Sequence, residues 1–210
     1  MAVITRWWWV SAAPMAQHGI YIGQQDEPPI AVDDSVYELL ASIIPPPTLT
    51  YSSPLARAIK PAQALAQLKD GADIAQLDAF TEQHFGEWES KSFADVQAMI
   101  ESNQSVSHAE IADLTPQGGE SYSEVITRAG LAIDAIGYQV ADNAPTAPVD
   151  ILCVSHISVI RAAIGKALDL TPEQTLKINL QPLSLTILEH HEQLGWLVHT
   201  TGWTPWPMVR

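Results

Sequence analysis

Leu152-Cys153-Val154-Ser155-His156 is an apolar run that closes on two polar side chains, and Ile157 to Leu168 follows at once with helical spacing. Hydrophobicity that is continuous rather than alternating marks a strand covered on both faces, as in a parallel sheet between helices. The stretch therefore predicts a buried strand over 150–155 that turns directly into a helix over 157–168. The pattern occurs again upstream. Thr48 to Ser52 reads as a strand, and Pro54 suits the first turn of a helix reaching about Leu68, which Pro61 should kink. Thr5-Arg6-Trp7-Trp8-Trp9-Val10 lies within a third apolar strand, 3–10, which runs into Ser11-Ala12-Ala13-Pro14. The three tryptophans are expected to be strand core rather than a ligand platform.

Working outward, Asp33 or Asp34 caps a helix to about Ile43, with Val36, Leu39, Leu40 and Ile43 expected inward, and Pro45-Pro46-Pro47 ends it. Ile74 to Phe80 is expected as a strand and Thr81 to Ser90 as a loop. Ser92 caps a helix to about Ser102, and a polar loop leads to Gly119. Ser121 or Ser123 starts a long helix to about Ala141 with a stripe of Val125, Ala129, Ala132, Ile133 and Ile136. Thr171 opens a short helix. Leu183 to Glu189 and Trp196 to Thr200 read as a hairpin around Gln193-Leu194-Gly195, and the tail with Trp203 and Trp206 is expected to pack on the domain. Alternating strands and helices predict a three-layer α/β/α sandwich with a mostly parallel central sheet, in one domain over 1–210 with a helical insert about 90–141.

Composition narrows the function classes. Hydrophobic residues are 47% and charged residues 16%, a globular balance, and the net charge is −14. That charge opposes a broad nucleic-acid or anionic-membrane surface, and no stretch approaches the roughly 20 apolar residues of a membrane span. Cys153 is the only cysteine. It excludes an intrachain disulfide and fits a reducing compartment, so the expectation is a soluble cytoplasmic protein beginning at Met1. Glu189-His190-His191-Glu192 lacks a third ligand at useful spacing and is expected as an exposed turn, not a metal site. No metal or cofactor is expected.

In parallel sheets ligands bind beyond the carboxyl ends of the strands. His156 and Arg57 sit there, each beside a helix start suited to an anion, and Arg57 can grip two oxyanion oxygens at once. Glu82, in Thr81-Glu82-Gln83-His84-Phe85-Gly86-Glu87-Trp88-Glu89, lies beside aromatics that could raise its pKa and suit it to proton donation. Glu87 and Glu89 are rivals for that role. His18, in the long loop from Ser11 to Pro29, is a candidate substitute nucleophile.

Taken together, Ser52-Ser53-Pro54-Leu55-Ala56-Arg57-Ala58, Glu82 to Glu89, Gly118-Gly119-Glu120-Ser121, and Val154-Ser155-His156 with Ile160-Arg161-Ala162 resemble the histidine phosphatase, or phosphoglycerate mutase-like, superfamily. The resemblance runs over most of the chain and implies that fold. It implies a phosphate-binding arginine at Arg57, a proton donor at Glu82 and a phosphoryl-holding histidine at His156. The family's opening Arg-His pair, whose histidine attacks phosphorus, falls on Ser11 and Ala12. Ala12 cannot form a phosphohistidine, and Ser11, a possible phosphate contact, is a poor nucleophile without an adjacent base. Further departures are Ser90 and Ile157 where relatives often carry glycine, and Pro61 where threonine is common. Three readings stay open: a degenerate phosphate- or phosphomonoester-binding protein, an active phosphomonoesterase with a substitute nucleophile such as His18 or water, and a non-catalytic interaction scaffold.

Overall fold

The structure is a computed structural model that describes residues 3–69, 71, 73–102, 108–143 and 145–205. The strands are β1 (Ile4–Ser11), β2 (Leu49–Ser52), β3 (Ile74–Gln76), β4 (Val149–Ser155), β5 (Leu185–His191) and β6 (Gly195–Trp203). The helices are α1 (Asp34–Ile43), α2 (Ala56–Gln67), α3 (Phe93–Ser102), α4 (Tyr122–Asp142), α5 (Ile157–Leu168) and α6 (Pro172–Thr175). They form one six-stranded sheet in the order β3-β2-β4-β1-β5-β6. The first four neighbours pair in parallel, and β5 and β6 add an antiparallel hairpin at one side.

The unbroken hydrophobicity of β4 has a direct cause. Ile151 and Cys153 belong to the core shared with α4 and α5, whereas Leu152 and Val154 belong to the core shared with α1 and α2. The tryptophans of β1 divide in the same way. Trp7 and Trp9 are buried on the α4/α5 side, with rings stacked at 6.1 Å, and Trp8 packs on the other side with its Nε1 donating to Asp150 Oδ1 at 2.9 Å. They are core, as their pattern predicts.

Four expectations change. Strand β3 stops at Gln76, and 78–80 form a 3₁₀ turn that drives Phe80 fully inside against Trp9, ring centroids 5.1 Å apart. In α1 the buried positions are Leu40 and Ala41, followed by Ile44, while Leu39 and Ile43 face solvent. The stripe is thus rotated from the expected one. Pro54 precedes the N-cap Leu55 instead of lying in the first turn, and α2 is a single helix through Pro61. Residues 189–191 are strand rather than exposed turn. Glu189 is buried, accepts from Arg6 Nε at 2.8 Å and pairs with His191 Nε2 at 2.6 Å.

Of the segment 90–141, α4 lies in the layer of α5, burying Val125, Ala129, Ile133 and Ile136. Ser121 and Glu124 form a reciprocal capping box at its start, which sets where the helix begins. Trp203 ends β6, and Trp206 lies outside the described residues. Among the described residues no helix is long and apolar enough to cross a membrane.

Candidate functional site

The parallel strands β1, β2 and β4 end at the same side of the sheet, and their following residues meet there. Ser53 N–H donates to Val154 O at 2.9 Å, and Ala12 N–H donates to Ser155 O at 2.7 Å. These bonds extend the ladders past the strand ends and place positions 12, 53 and 156 side by side.

His156 is the N-cap residue of α5, with extended backbone. It is 2% exposed, and its Nε2 lies 2.8 Å from Ser53 Oγ. Burial, reinforced by the positive charges of Arg57 and Arg128, holds its pKa well below the usual histidine value. The ring is therefore neutral at neutral pH, a hydrogen-bonding group rather than a cation.

Arg57 lies in the first turn of α2 and is 5% exposed. Its Nη1 donates to Gln25 O at 2.8 Å and its Nη2 to Gly23 O at 2.5 Å. Burial lowers its pKa, opposed by Glu82, Asp26 and Glu89, and an arginine so shifted still carries its charge. The guanidinium thus ties down the loop after β1.

Glu82 Oε1 accepts from its neighbour's N–H, Gln83 N, at 2.8 Å and from Ser158 Oγ in the first turn of α5. The backbone around it is gathered by Arg128 of α4. That side chain donates to Ala79 O and Thr81 O, both at 2.8 Å, and to Glu82 O at 3.2 Å. It also pairs with both carboxylate oxygens of Glu120 at 2.9 and 2.8 Å.

The strand-end residue Ser11 points elsewhere. It is fully buried, donates to Gln181 O at 2.5 Å, and accepts from Ser184 N–H at 2.9 Å. Ala12 lines a cavity of about 200 Å³ together with Arg57, Glu82, His156 and His18. The structure therefore brings Arg57, Glu82 and His156 to one cavity, puts a methyl group at position 12 on its wall, leaves the exposed His18 at its lining, and turns the Ser11 hydroxyl into the packing behind it. A second cavity of about 450 Å³ shares Arg57, Glu82 and Ile157 and extends the site toward Tyr21 and α3.

Three members of this assembly were not singled out by function from sequence. Ser158 stands two residues after His156, on the same helix start, which was a readable signal. Arg161 lines the larger cavity and donates through Nε to Ile178 O at 2.7 Å. Arg128 sits in the second turn of the long helix α4, 46 residues from Glu82 in the chain, and nothing local marks it.

The sequence profile of the histidine phosphatase superfamily (branch 1) matches residues 34–203, a range that contains Arg57, Glu82 and His156 and starts after β1. Bifunctional protein Rv2228c of Mycobacterium tuberculosis (strain ATCC 25618 / H37Rv) is 31% identical over 144 residues, covering 67% of this chain and 36% of that protein. The uncharacterized protein Mb2253c of Mycobacterium bovis matches to the same extent. The chain thus spans little more than a third of the curated relatives it matches. Among solved structures, mycobacterial hydrolase 2 superposes with a TM-score of 0.83 at 20% identity, over 99% of this chain and 94% of that one. Mycobacterial glucosyl-3-phosphoglycerate phosphatase Rv2419c with inorganic phosphate superposes at 0.77, with 22% identity over 95% and 97%. Phosphoglycerate mutase from Bacillus anthracis str. Sterne also superposes at 0.77, with 17% identity over 96% and 94%. At these identities the likeness is one of fold.

Proposed function

This chain belongs to the histidine phosphatase superfamily, and from that membership we propose that it binds phosphate or a small phosphomonoester without passing the phosphoryl group to a histidine. One observation carries the proposal. The cavity that holds Arg57, Glu82 and His156 has the methyl group of Ala12 on its wall where the resemblance puts the attacking imidazole. A methyl group has no lone pair to offer phosphorus. The neighbouring hydroxyl of Ser11 is bonded to Gln181 and Ser184, so it is no replacement.

What remains suits binding. Arg57 supplies a buried positive charge, and a guanidinium has more N–H donors than its two bonds to Gly23 O and Gln25 O use. His156 contributes a neutral imidazole. A fold neighbour solved with inorganic phosphate supports this choice of ligand class. Losing a catalytic nucleophile in other enzymes lowers turnover by roughly 10⁴ to 10⁶.

A second reading rests on His18, which lines the same cavity as Ala12. In that reading His18, or a water, attacks the ester and Glu82 protonates the leaving group.

Thermal melting with and without inorganic phosphate, and an aryl phosphate hydrolysis assay, separate the readings. The proposal expects phosphate to raise the melting temperature and hydrolysis to stay at background. No shift with phosphate would overturn it. Hydrolysis above background that His156→Ala abolishes would replace it with the second reading, and its loss or survival in His18→Ala would then tell a histidine from a water as the attacking group.

A further inference from the structure

The larger cavity is built for a particular kind of molecule. Its aromatic wall comes from three separate segments, the loop after β1, the 81–90 loop and α3. Tyr21 meets Phe85 edge-on at 4.7 Å and Phe93 edge-on at 4.9 Å, with Trp88 at 5.9 Å. The backbone locks this arrangement. Tyr21 N–H donates to Lys91 O at 3.0 Å, Ser90 N–H donates to Tyr21 O at 2.8 Å, and Phe93 N–H donates to Gly19 O at 3.0 Å. The wall is thus held in place by main-chain bonds, so binding there costs little ordering.

Three polar side chains of the lining are already engaged inside the protein. Ser158 Oγ donates to Glu82, Gln83 Nε2 donates to Glu120 O at 2.9 Å, and Tyr122 Oη lies 2.8 Å from Thr175 Oγ1. Burial pushes the Tyr122 pKa up to about 12, so its hydroxyl stays neutral. With these three engaged, a polyhydroxylated ligand finds fewer partners here than an aromatic one finds contact surface. The charged residues of the lining are Arg57, Glu82 and Arg161, a net positive set in a chain of net charge −14. A volume of about 450 Å³ has room for more than an oxyanion.

We propose that the ligand is an amphipathic oxyanion, with its phosphate at Arg57, the arginine that the two cavities share, and an aromatic body against Tyr21, Phe85 and Phe93. This rests on the reading of the site as a phosphate-ester pocket, and it adds the class of ester.

Isothermal titration with 2-naphthyl phosphate, glycerol 2-phosphate and 2-naphthol tests it on the wild type and on Phe93→Ala. Phe93 is 53% exposed, so its truncation leaves the core intact. The expected result is 2-naphthyl phosphate bound about tenfold or more tighter than glycerol 2-phosphate, a preference that narrows in Phe93→Ala. Equal affinity for the two phosphates overturns the aromatic body and leaves the phosphate reading standing. Affinity for 2-naphthol matching that for 2-naphthyl phosphate overturns the anionic head. Failure of both phosphates to bind overturns the underlying reading as well.

Discussion

Ala13 N–H donates to the carbonyl of Arg57 at 2.8 Å. Pro61, one helical turn on, has no N–H to give that carbonyl, and the chain leaving β1 supplies one instead. The exit of β1 and the first turn of α2 are thereby joined at the edge of the cavity, and the proline that would break a helix marks where another segment docks. The same Arg57 holds the loop from the other end through Gly23 O and Gln25 O.

Because the orphaned carbonyl already has a donor, Pro61→Ala should change stability by less than about 1 kcal/mol, far short of the roughly 3 kcal/mol that a proline costs in an ordinary helix interior. Urea unfolding of the two proteins measures this. A gain near the full figure would mean that the Ala13 bond contributes nothing.

The buried His156 should make the protein acid-sensitive near neutrality. Its folded pKa is depressed below the 6.5 of a free histidine, so the unfolded chain binds the proton first as pH falls. Stability is then complete above about pH 6.5 and declines below it, by up to about 1.4 kcal/mol per pH unit until the folded pKa is reached. His190 is shifted the same way by burial and adds to the slope, while Glu189, which burial raises but which its bonds to Arg6 and His191 together bring below the usual value, adds a further loss only below pH 4.5. Urea midpoints at pH 7.5 and 5.5 should differ clearly in the wild type and less in His156→Gln. An unchanged pH slope in the variant would exclude His156 as the source.

The 84–88 loop and the Gly118-Gly119 turn are locked backbone to backbone. Glu87 N–H donates to Gln117 O at 3.0 Å and Glu120 N–H to His84 O at 2.8 Å. A Cβ on Gly119 would stand 2.4 Å from His84 O and 2.8 Å from Gly86 N, neither of which can swing away. Gly119→Ala should therefore cost about 2 kcal/mol or more, read from chemical denaturation. Gly130→Ala, where a Cβ meets nothing within 4 Å, is the matched control and should be neutral or slightly stabilising.

Arg128 should behave as an organiser of the Glu82 loop rather than as a surface charge. Arg128→Ala removes a partly buried pair with Glu120 and three carbonyl contacts, and should cost about 2–4 kcal/mol. Arg128→Lys should recover only part, since an ammonium cannot span the same acceptors. Full recovery by lysine, in thermal or urea unfolding, would reduce the role to charge alone.

Several features were readable along the chain because their causes are local. The double-faced cores around Ile151 to Val154 need apolar residues at every position, so β4 shows as a run. The capping boxes at Ser121 and Thr171 act within one turn. Arg57, Glu82 and His156 could be picked out because each sits in a short stretch of matching residues. Other expectations failed where neighbours decided. Phe80 leaves the strand direction because Trp9 and Tyr51 offer its ring a site, and Glu189 is buried because Arg6 lies opposite it on β1.

The sequence alone determined that position 12 carries a methyl group, that the sheet is mostly parallel, and which side chains lie at its carboxyl ends. Only the tertiary structure decided that Ser11 bonds to Gln181 and Ser184 behind the cavity, that Arg128 reaches back across the chain to hold the Glu82 loop, and that Tyr21, Phe85 and Phe93 make one wall. The physical reason is range. Propensity, capping and strand hydrophobicity act between residues close in the chain, whereas a hydrogen bond or a ring contact acts over a few ångströms between segments whose meeting no local pattern encodes.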